Sequence, residues 1–221
     1  PEYVATINGE DVIVANKDPR KQVSTGYKQI NAMQKIRFMP SENWDFNLGF
    51  FFTATSDYPR YDRLIRKKDG QLKSAVWNYT PQEWINGNFK ITHKGSSFYD
   101  KSILTLSYQN FKEGRSDRNF GDVFLYETKE KVNAYTSALD FIKKFGKSKL
   151  FYGLEYVHNK VNSDGKQTNI VTGTVSETSP RYPDDATWES LAAYVSLQSK
   201  IAKSLSLQIG LRYNHIFLYA N

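Results

Sequence analysis

Three short runs combine guanidinium, phenol and carboxylate groups: Arg60-Tyr61-Asp62-Arg63, Arg115 with Asp117 and Arg118, and Arg181-Tyr182. A guanidinium pairs bidentately with carboxylate or phosphate and stacks on aromatic faces. These residues therefore suit contact with a polar or anionic ligand. They suit equally a clamp in which the runs pair with one another and hold loops in place. No run sets a nucleophile beside a base, and no catalytic constellation emerges elsewhere in the chain. His93, His158 and His215 stand singly and read as polar wall or interface positions, not metal ligands. Asp184-Asp185 lies in a polar stretch and reads as a local turn device. With no Cys, thiol chemistry and disulfides are excluded. The expectation is a protein that is not an enzyme and carries neither cofactor nor metal.

The elements that must position these groups read as strands, because apolar and polar residues alternate with a period of two. The clearest is the last, where Leu205, Leu207, Ile209, Leu211 and Tyr213 oppose Ser206, Gln208, Gly210, Arg212 and Asn214. Leu150, Tyr152, Leu154 and Tyr156 oppose Gly153, Glu155 and Asn159. Trp44, Phe46, Leu48, Phe50 and Phe52 oppose Asp45, Asn47, Gly49 and Thr53, and Leu104, Leu106 and Tyr108 oppose Thr105, Ser107 and Gln109. Weaker alternation begins near Ile30, Ile85, Tyr135 and Leu191, which brings the expected strands to about eight.

Short and long connections alternate between these strands. The short ones fall around Pro40–Asn43, Gly95–Tyr99, Phe145–Ser148 and Ala202–Lys203; the long ones at about Tyr58–Pro81, Glu113–Glu130 and Asn162–Thr187. One rim of tight turns and one of elaborated loops is the pattern of an up-and-down membrane barrel. A soluble β-rich domain with two packed faces also alternates, and both readings stand on periodicity alone. Fifteen Tyr, fourteen Phe and four Trp suit half-buried pleated surfaces and membrane interfaces. Phe38, Trp44, Tyr108, Phe111, Phe145, Tyr156, Tyr213 and Phe217 fall near strand ends, as girdle residues would. No run reaches the ~18–20 apolar residues of a membrane helix, which leaves a barrel open. The formal charge of +7 is scattered through turns and loops, without the basic stripe of a nucleic-acid binder. The opening Pro1-Glu2-Tyr3 has no signal-peptide character, as expected of a mature or internal segment.

Several motifs, in order along the chain, resemble barrels of TonB-dependent receptors of the Bacteroidetes type. They are Thr55-Ser56-Asp57-Tyr58-Pro59-Arg60-Tyr61-Asp62-Arg63-Leu64, Tyr79-Thr80-Pro81-Gln82, the run Tyr108 to Arg118, and the run Tyr152 to Val161. Arg181-Tyr182-Pro183-Asp184 and Gly210-Leu211-Arg212-Tyr213 complete the series. The resemblance implies an all-β, antiparallel up-and-down transmembrane β-barrel in the bacterial outer membrane. This chain would supply about eight strands of a larger barrel of about 22 strands around a plug. Residues 1–25 would form an extracellular loop or outer hairpin and residues 26–221 a partial barrel, with the plug absent. The implied activity is energised import of a scarce nutrient such as an iron chelate, haem, cobalamin or a glycan. The implied partners are the remaining barrel strands, the plug, the TonB energy-transducing complex, outer-membrane lipid and a surface lipoprotein. A self-contained eight-stranded surface protein and a soluble ligand-binding domain are the competing expectations.

Overall fold

The computed structural model describes residues 2–220; Pro1 and Asn221, the outermost residues of the two expected segments, lie outside the described residues. The chain runs through β1 (Glu2–Ile7), β2 (Glu10–Ala15), β3 (Gln29–Ser41), β4 (Trp44–Thr55), β5 (Tyr58–Pro59) and the four-residue helix α1 (Tyr61–Leu64). There follow β6 (Lys67–Lys68), β7 (Gln71–Leu72), β8 (Ser74–Tyr79), β9 (Glu83–Lys94) and β10 (Lys101–Asn119). The last elements are β11 (Phe124–Phe145), β12 (Ser148–Asn169), β13 (Val175–Thr178), β14 (Ala186–Ala202) and β15 (Leu205–Tyr219).

The long strands pair antiparallel in the order β3-β4-β9-β10-β11-β12-β14-β15, each beside the next long strand in the chain. Among the described residues β3 and β15 do not pair, so the sheet stays open with one free edge on each. The first-to-last pairing that a self-contained eight-stranded barrel requires is missing here. Tight turns join the hairpins at one end. In the β11–β12 turn Phe145 pairs with Ser148, and Gly146 takes φ 56°, the first central position of a turn that favours glycine there.

The registers keep the alternation coherent across the sheet. One row runs Leu48, Phe89, Leu106, Ser137, Tyr156, Leu191 on a largely apolar face. The neighbouring row on the opposite face runs Asn47, Lys90, Thr105, Ala138, Glu155, Ala192. On that polar face the groups satisfy one another. Arg37 donates to both oxygens of Asp45 at 2.9 and 2.8 Å, Tyr194 to Asp140 at 2.6 Å, and Arg212 to Glu155 at 2.6 Å.

No second layer covers the apolar face. Leu48, Leu154, Leu191, Leu211 and Tyr213 are all exposed, and among the described residues only Leu72 and Ala192 are buried hydrophobics. The accessible surface is 14613 Å², against ~10,400 Å² for a compact protein of this mass. A soluble sandwich would bury this face in a core, and the described residues form none. At the turn end the same face carries a run of aromatic contacts. Trp44 meets His93 at 4.3 Å, His93 meets Tyr99 at 5.8 Å, Tyr99 meets Phe141 at 5.3 Å and Phe141 meets Tyr152 at 5.0 Å. Toward the loop end Tyr108 and Tyr135 lie 5.0 Å apart. These are the two interfacial belts of a membrane-spanning sheet. Phe111 departs from the expected girdle: its register partner Val132 and its neighbour Trp84 lie on the polar face.

The long connections differ from expectation. Glu113–Glu130 is mostly ladder, with β10 and β11 paired as far as Asp117 and Tyr126. Asn162–Thr187 likewise begins as strand, since β12 runs to Asn169 and pairs with β13. Both extensions meet water and polar loop segments on both faces, so polar residues fill both and the period-two signal vanishes. Cross-strand ion pairs hold them instead, such as Lys166–Glu127 at 3.1 Å and Lys112–Glu83 at 2.8 Å. The Tyr58–Pro81 stretch is also structured, with β5 and β8 paired and β8 added to the edge of β10. The β1–β2 hairpin turns at Asn8-Gly9, whose φ values of 53° and 84° fit the tight turn that this dipeptide favours.

Candidate functional site

Beyond the apolar band, the loop end of the sheet gathers most of the candidate residues around one ring. Tyr79 ends β8 opposite Arg115 of β10, and Trp77 lies two residues earlier on the same face. Aromatic residues two apart on a strand project together, and these two rings meet edge to face at 5.4 Å. β5 brings Tyr58 to 5.1 Å from Tyr79, and Tyr27 stacks behind Tyr58 at 5.5 Å.

Arginines close over this aromatic group. Arg60 lies 5.2 Å from the Trp77 ring centre and 5.6 Å from that of Tyr79, and donates to the Tyr79 hydroxyl at 3.0 Å. Its Nε and Nη2 grip both oxygens of Asp62 at 2.7 Å each. That pairing raises the Arg60 pKa above its ordinary value and lowers that of Asp62. Arg63 covers Trp77 at 5.5 Å and Arg115 covers Tyr79 at 5.4 Å. Glu113 links Arg115, at 3.6 Å, to Arg181, at 3.5 Å. Burial pushes the Tyr58 phenol up, with Tyr79 and Glu113 adding to it.

Arg181 and Tyr182 belong to a strap of residues 179–185 that crosses the polar face. Glu113, Glu130 and Ser163 form one row across β10, β11 and β12. Arg181 reaches Glu113 at one end of that row and the Tyr182 amide donates to Ser163 Oγ at the other, at 3.3 Å. Arg181 also lies 5.0 Å over its neighbour Tyr182. The strap is anchored again where Asp184 accepts from the Ser163 amide at 2.9 Å and Asp185 pairs with Lys160 at 2.9 Å. Glu130, between the two ends, is 4 % exposed and neither carboxylate oxygen has a hydrogen-bond partner. Burial pushes its pKa up and nearby Glu113 adds to this, against the pull of Arg181 and Arg115.

Arg118 stands apart from the group. Its side chain and that of Asp11 are 3 % and 1 % exposed, joined by hydrogen bonds of 2.6 and 2.7 Å. Arg118 also reaches Thr6 and the Asp122 carbonyl, while the Gly121 amide donates to Asp11. Burial works against the Asp11 charge, yet Arg118, the Gly121 amide and Thr6 outweigh it and lower its pKa. This pair fastens the β1–β2 hairpin to the top of β10. Asp117 lies on the opposite face beside Trp77 in register, its pKa raised by burial against the pull of Lys73. Tyr61 lines a small recess between α1 and the hairpin.

Arg60, Asp62, Arg63, Arg115 and Arg181 therefore form one connected group, while Tyr61, Asp117, Arg118 and Tyr182 serve neighbouring contacts. The arginine runs alone do not mark Trp77, Tyr79, Glu113, Glu130 and Asp11. The available signal was the aromatic-x-aromatic spacing of Trp77 and Tyr79, which sets both rings on one face. Among the described residues no group of three or more metal-ligating side chains occurs. A recess of about 330 Å³ adjoins the group, lined by Tyr27, Tyr58, Trp84 and Phe111.

A family model described as the outer membrane protein beta-barrel family matches residues 86–221. No curated protein sequence matches the chain. Among solved structures, the chain is similar to the copper transporter OprC, at TM-score 0.70 and 12 % identity over 89 % of this chain and 29 % of that one. It is similar also to the ferric citrate transporter FecA in its unliganded form, at TM-score 0.60 and 15 % identity over 90 % of this chain and 31 % of that one. The chain spans under a third of either structure.

Proposed function

Because the chain belongs to the outer membrane protein beta-barrel family, we propose that it forms part of a TonB-dependent receptor barrel of the Bacteroidetes type, importing a scarce nutrient. Its location is the bacterial outer membrane. The single observation that carries the proposal is the open antiparallel meander with one uncovered apolar face. An open sheet leaves unpaired backbone groups at both edges, which lipid does not satisfy. Other strands of a larger barrel would pair β3 and β15. The likeness of fold to OprC and FecA supports a large barrel of the transporter kind.

In this reading residues 26–221 are a partial barrel, residues 1–25 an extracellular hairpin, and the polar face looks into a lumen that a plug domain fills. The TonB complex acts through that plug, and a surface lipoprotein is a further partner at the loop rim. The nutrient is an iron chelate, haem, cobalamin or glycan, and no reaction is catalysed. The arginine–aromatic group clamps the loops of the rim, and its outer guanidinium edges contact the incoming solute. Uptake by cells producing the full-length protein tests the proposal. Uptake should collapse when the inner membrane is de-energised, and unchanged uptake would overturn it.

A further inference from the structure

The rings of Tyr27, Tyr58, Trp84 and Phe111 line the recess of about 330 Å³ on the polar face, at the loop end of β3, β4, β9 and β10. Trp84 of β9 sits in register between Thr53 of β4 and Phe111 of β10. Its indole is fixed from the turn-end side, where Phe51 lies 4.9 Å away and Gln109 accepts from Nε1 at 3.2 Å. Two further bonds tie the rim of β4 to the start of β9. The Thr55 amide donates to the Gln82 carbonyl at 2.9 Å, and the Gln82 amide donates to the Thr55 hydroxyl at 3.0 Å. The recess is therefore pre-formed, as ligand sites usually are.

Its lining is electrically neutral toward a solute. The one charged residue there is Glu83, which pairs with Lys112 at 2.8 Å on the opposite face of the sheet. The neighbouring guanidiniums are already held, Arg60 by Asp62 and both Arg115 and Arg181 by Glu113. An anionic chelate finds no free cation in the recess, and a cationic solute no free carboxylate. What it does offer is flat apolar walls beside the Gln82 side-chain amide and the Tyr27 and Tyr58 hydroxyls. None of these three groups has a hydrogen-bond partner among the described residues. Burial pushes the Tyr58 phenol up, which keeps it a neutral donor.

A sugar ring with equatorial hydroxyls has the matching form, with C–H bonds on its two faces and hydrogen-bonding groups around its edge. The volume lies near the lower bound of ~300 Å³ for ligand pockets. It takes a small sugar and excludes a haem or cobalamin macrocycle.

We infer that this recess binds an uncharged, equatorially substituted sugar ring, its faces against Trp84 and Phe111 and its hydroxyls toward Gln82 and Tyr58. The inference rests on the receptor reading and narrows its nutrient to a glycan. Tyr58, 5.1 Å from Tyr79, joins the sugar site to the arginine–aromatic group.

Calorimetry on the purified full-length protein tests the site with methyl β-glucoside, cellobiose and diacetylchitobiose, and with ferric citrate as a charged competitor. The sugars should bind, and ferric citrate should not displace them. Trp84→Leu should weaken binding about tenfold and Gln82→Leu about fivefold. Trp84→Phe keeps a stacking face and should stay within about threefold of wild type. Should Trp84→Leu fail to fold, Gln82→Leu still decides, because that side chain holds no other element in place. Binding of none of the sugars, displacement by ferric citrate, or binding that Gln82→Leu leaves unchanged would overturn the site. Those results leave the receptor reading intact if uptake in cells still collapses on de-energising the inner membrane. Sugar binding that the variants weaken, with uptake indifferent to energy, would overturn the receptor reading and support the site.

Discussion

The two ends of the same strands solve different problems. At the turn end β10, β11 and β12 form a single layer with an apolar face that no described residue covers. At the loop end the strands continue, and apart from Leu72 the burial there is mostly polar, with Ser116, Arg118, Glu130 and Ser163 all buried. One hydrogen-bonded ladder therefore serves two solvents. Lipid replaces a core below, while above it the hairpin, the strap and the arginine–aromatic group wall off small pieces of sheet from water. Apolar burial is non-directional, whereas buried charges need specific partners, so the two ends should respond differently to substitution.

The largest effect should come from Arg118→Met, which leaves Asp11 buried without its partner at a cost of about 3–5 kcal/mol. Hydrogen exchange should then rise throughout β1 and β2 and leave the β11–β12 turn end unchanged. Adding Asp11→Leu should restore most of the protection, because the stranded charge goes with it. A rise at both ends would break the division between them.

Next in size is Leu154→Arg on the apolar face, expected to cost about 2–4 kcal/mol at mid-membrane depth. Its neighbour Glu155→Arg faces the polar side and should leave membrane insertion intact. Urea unfolding from lipid vesicles would measure both. Equal penalties would show that the polar face also meets lipid.

Two carboxylates at the loop end should answer to pH with opposite signs. The Asp11 pKa lies below its ordinary value in the folded protein, so its clasp is secure above the ordinary carboxylate range. The hairpin should loosen as pH falls toward the lowered value. The Glu130 pKa is raised, so ionisation weakens the strap as pH climbs from the ordinary range through the raised value. Glu130→Gln should remove that dependence and slow exchange in residues 179–185 at neutral pH, by about 1–3 kcal/mol if the whole penalty is relieved. Exchange of hairpin and strap amides over an acid-to-neutral series would show whether they move in opposite directions. The smallest expected change is Tyr79→Phe, which removes the bond from Arg60 at about 1 kcal/mol and keeps the stacked rings. A thermal melt that falls much further would mean that the hydroxyl organises the whole group.

Much of the lower half was legible in the sequence, because each strand between water-filled and lipid-facing sides must alternate. The residues of Leu205–Asn214 and Leu150–Tyr156 divide between the faces as their spacing predicts. The upper half was less so. Glu113–Glu130 carries polar residues on both faces, and a strand polar on both sides has no period to read. Asn8-Gly9 and Asp69-Gly70 did carry local turn signals, and both residues of each pair take positive φ.

The sequence by itself determined the strand faces, the tight-turn rim and the arginine runs, because these depend on neighbours one to four residues away. Tertiary structure alone decided that Arg118 clasps Asp11, 107 positions distant, while Arg60, Arg115 and Arg181 converge through Tyr79 and Glu113. All four share the same guanidinium chemistry. Their different roles arise from which strand edges and loops the register brings beside them, and from how much water is left there.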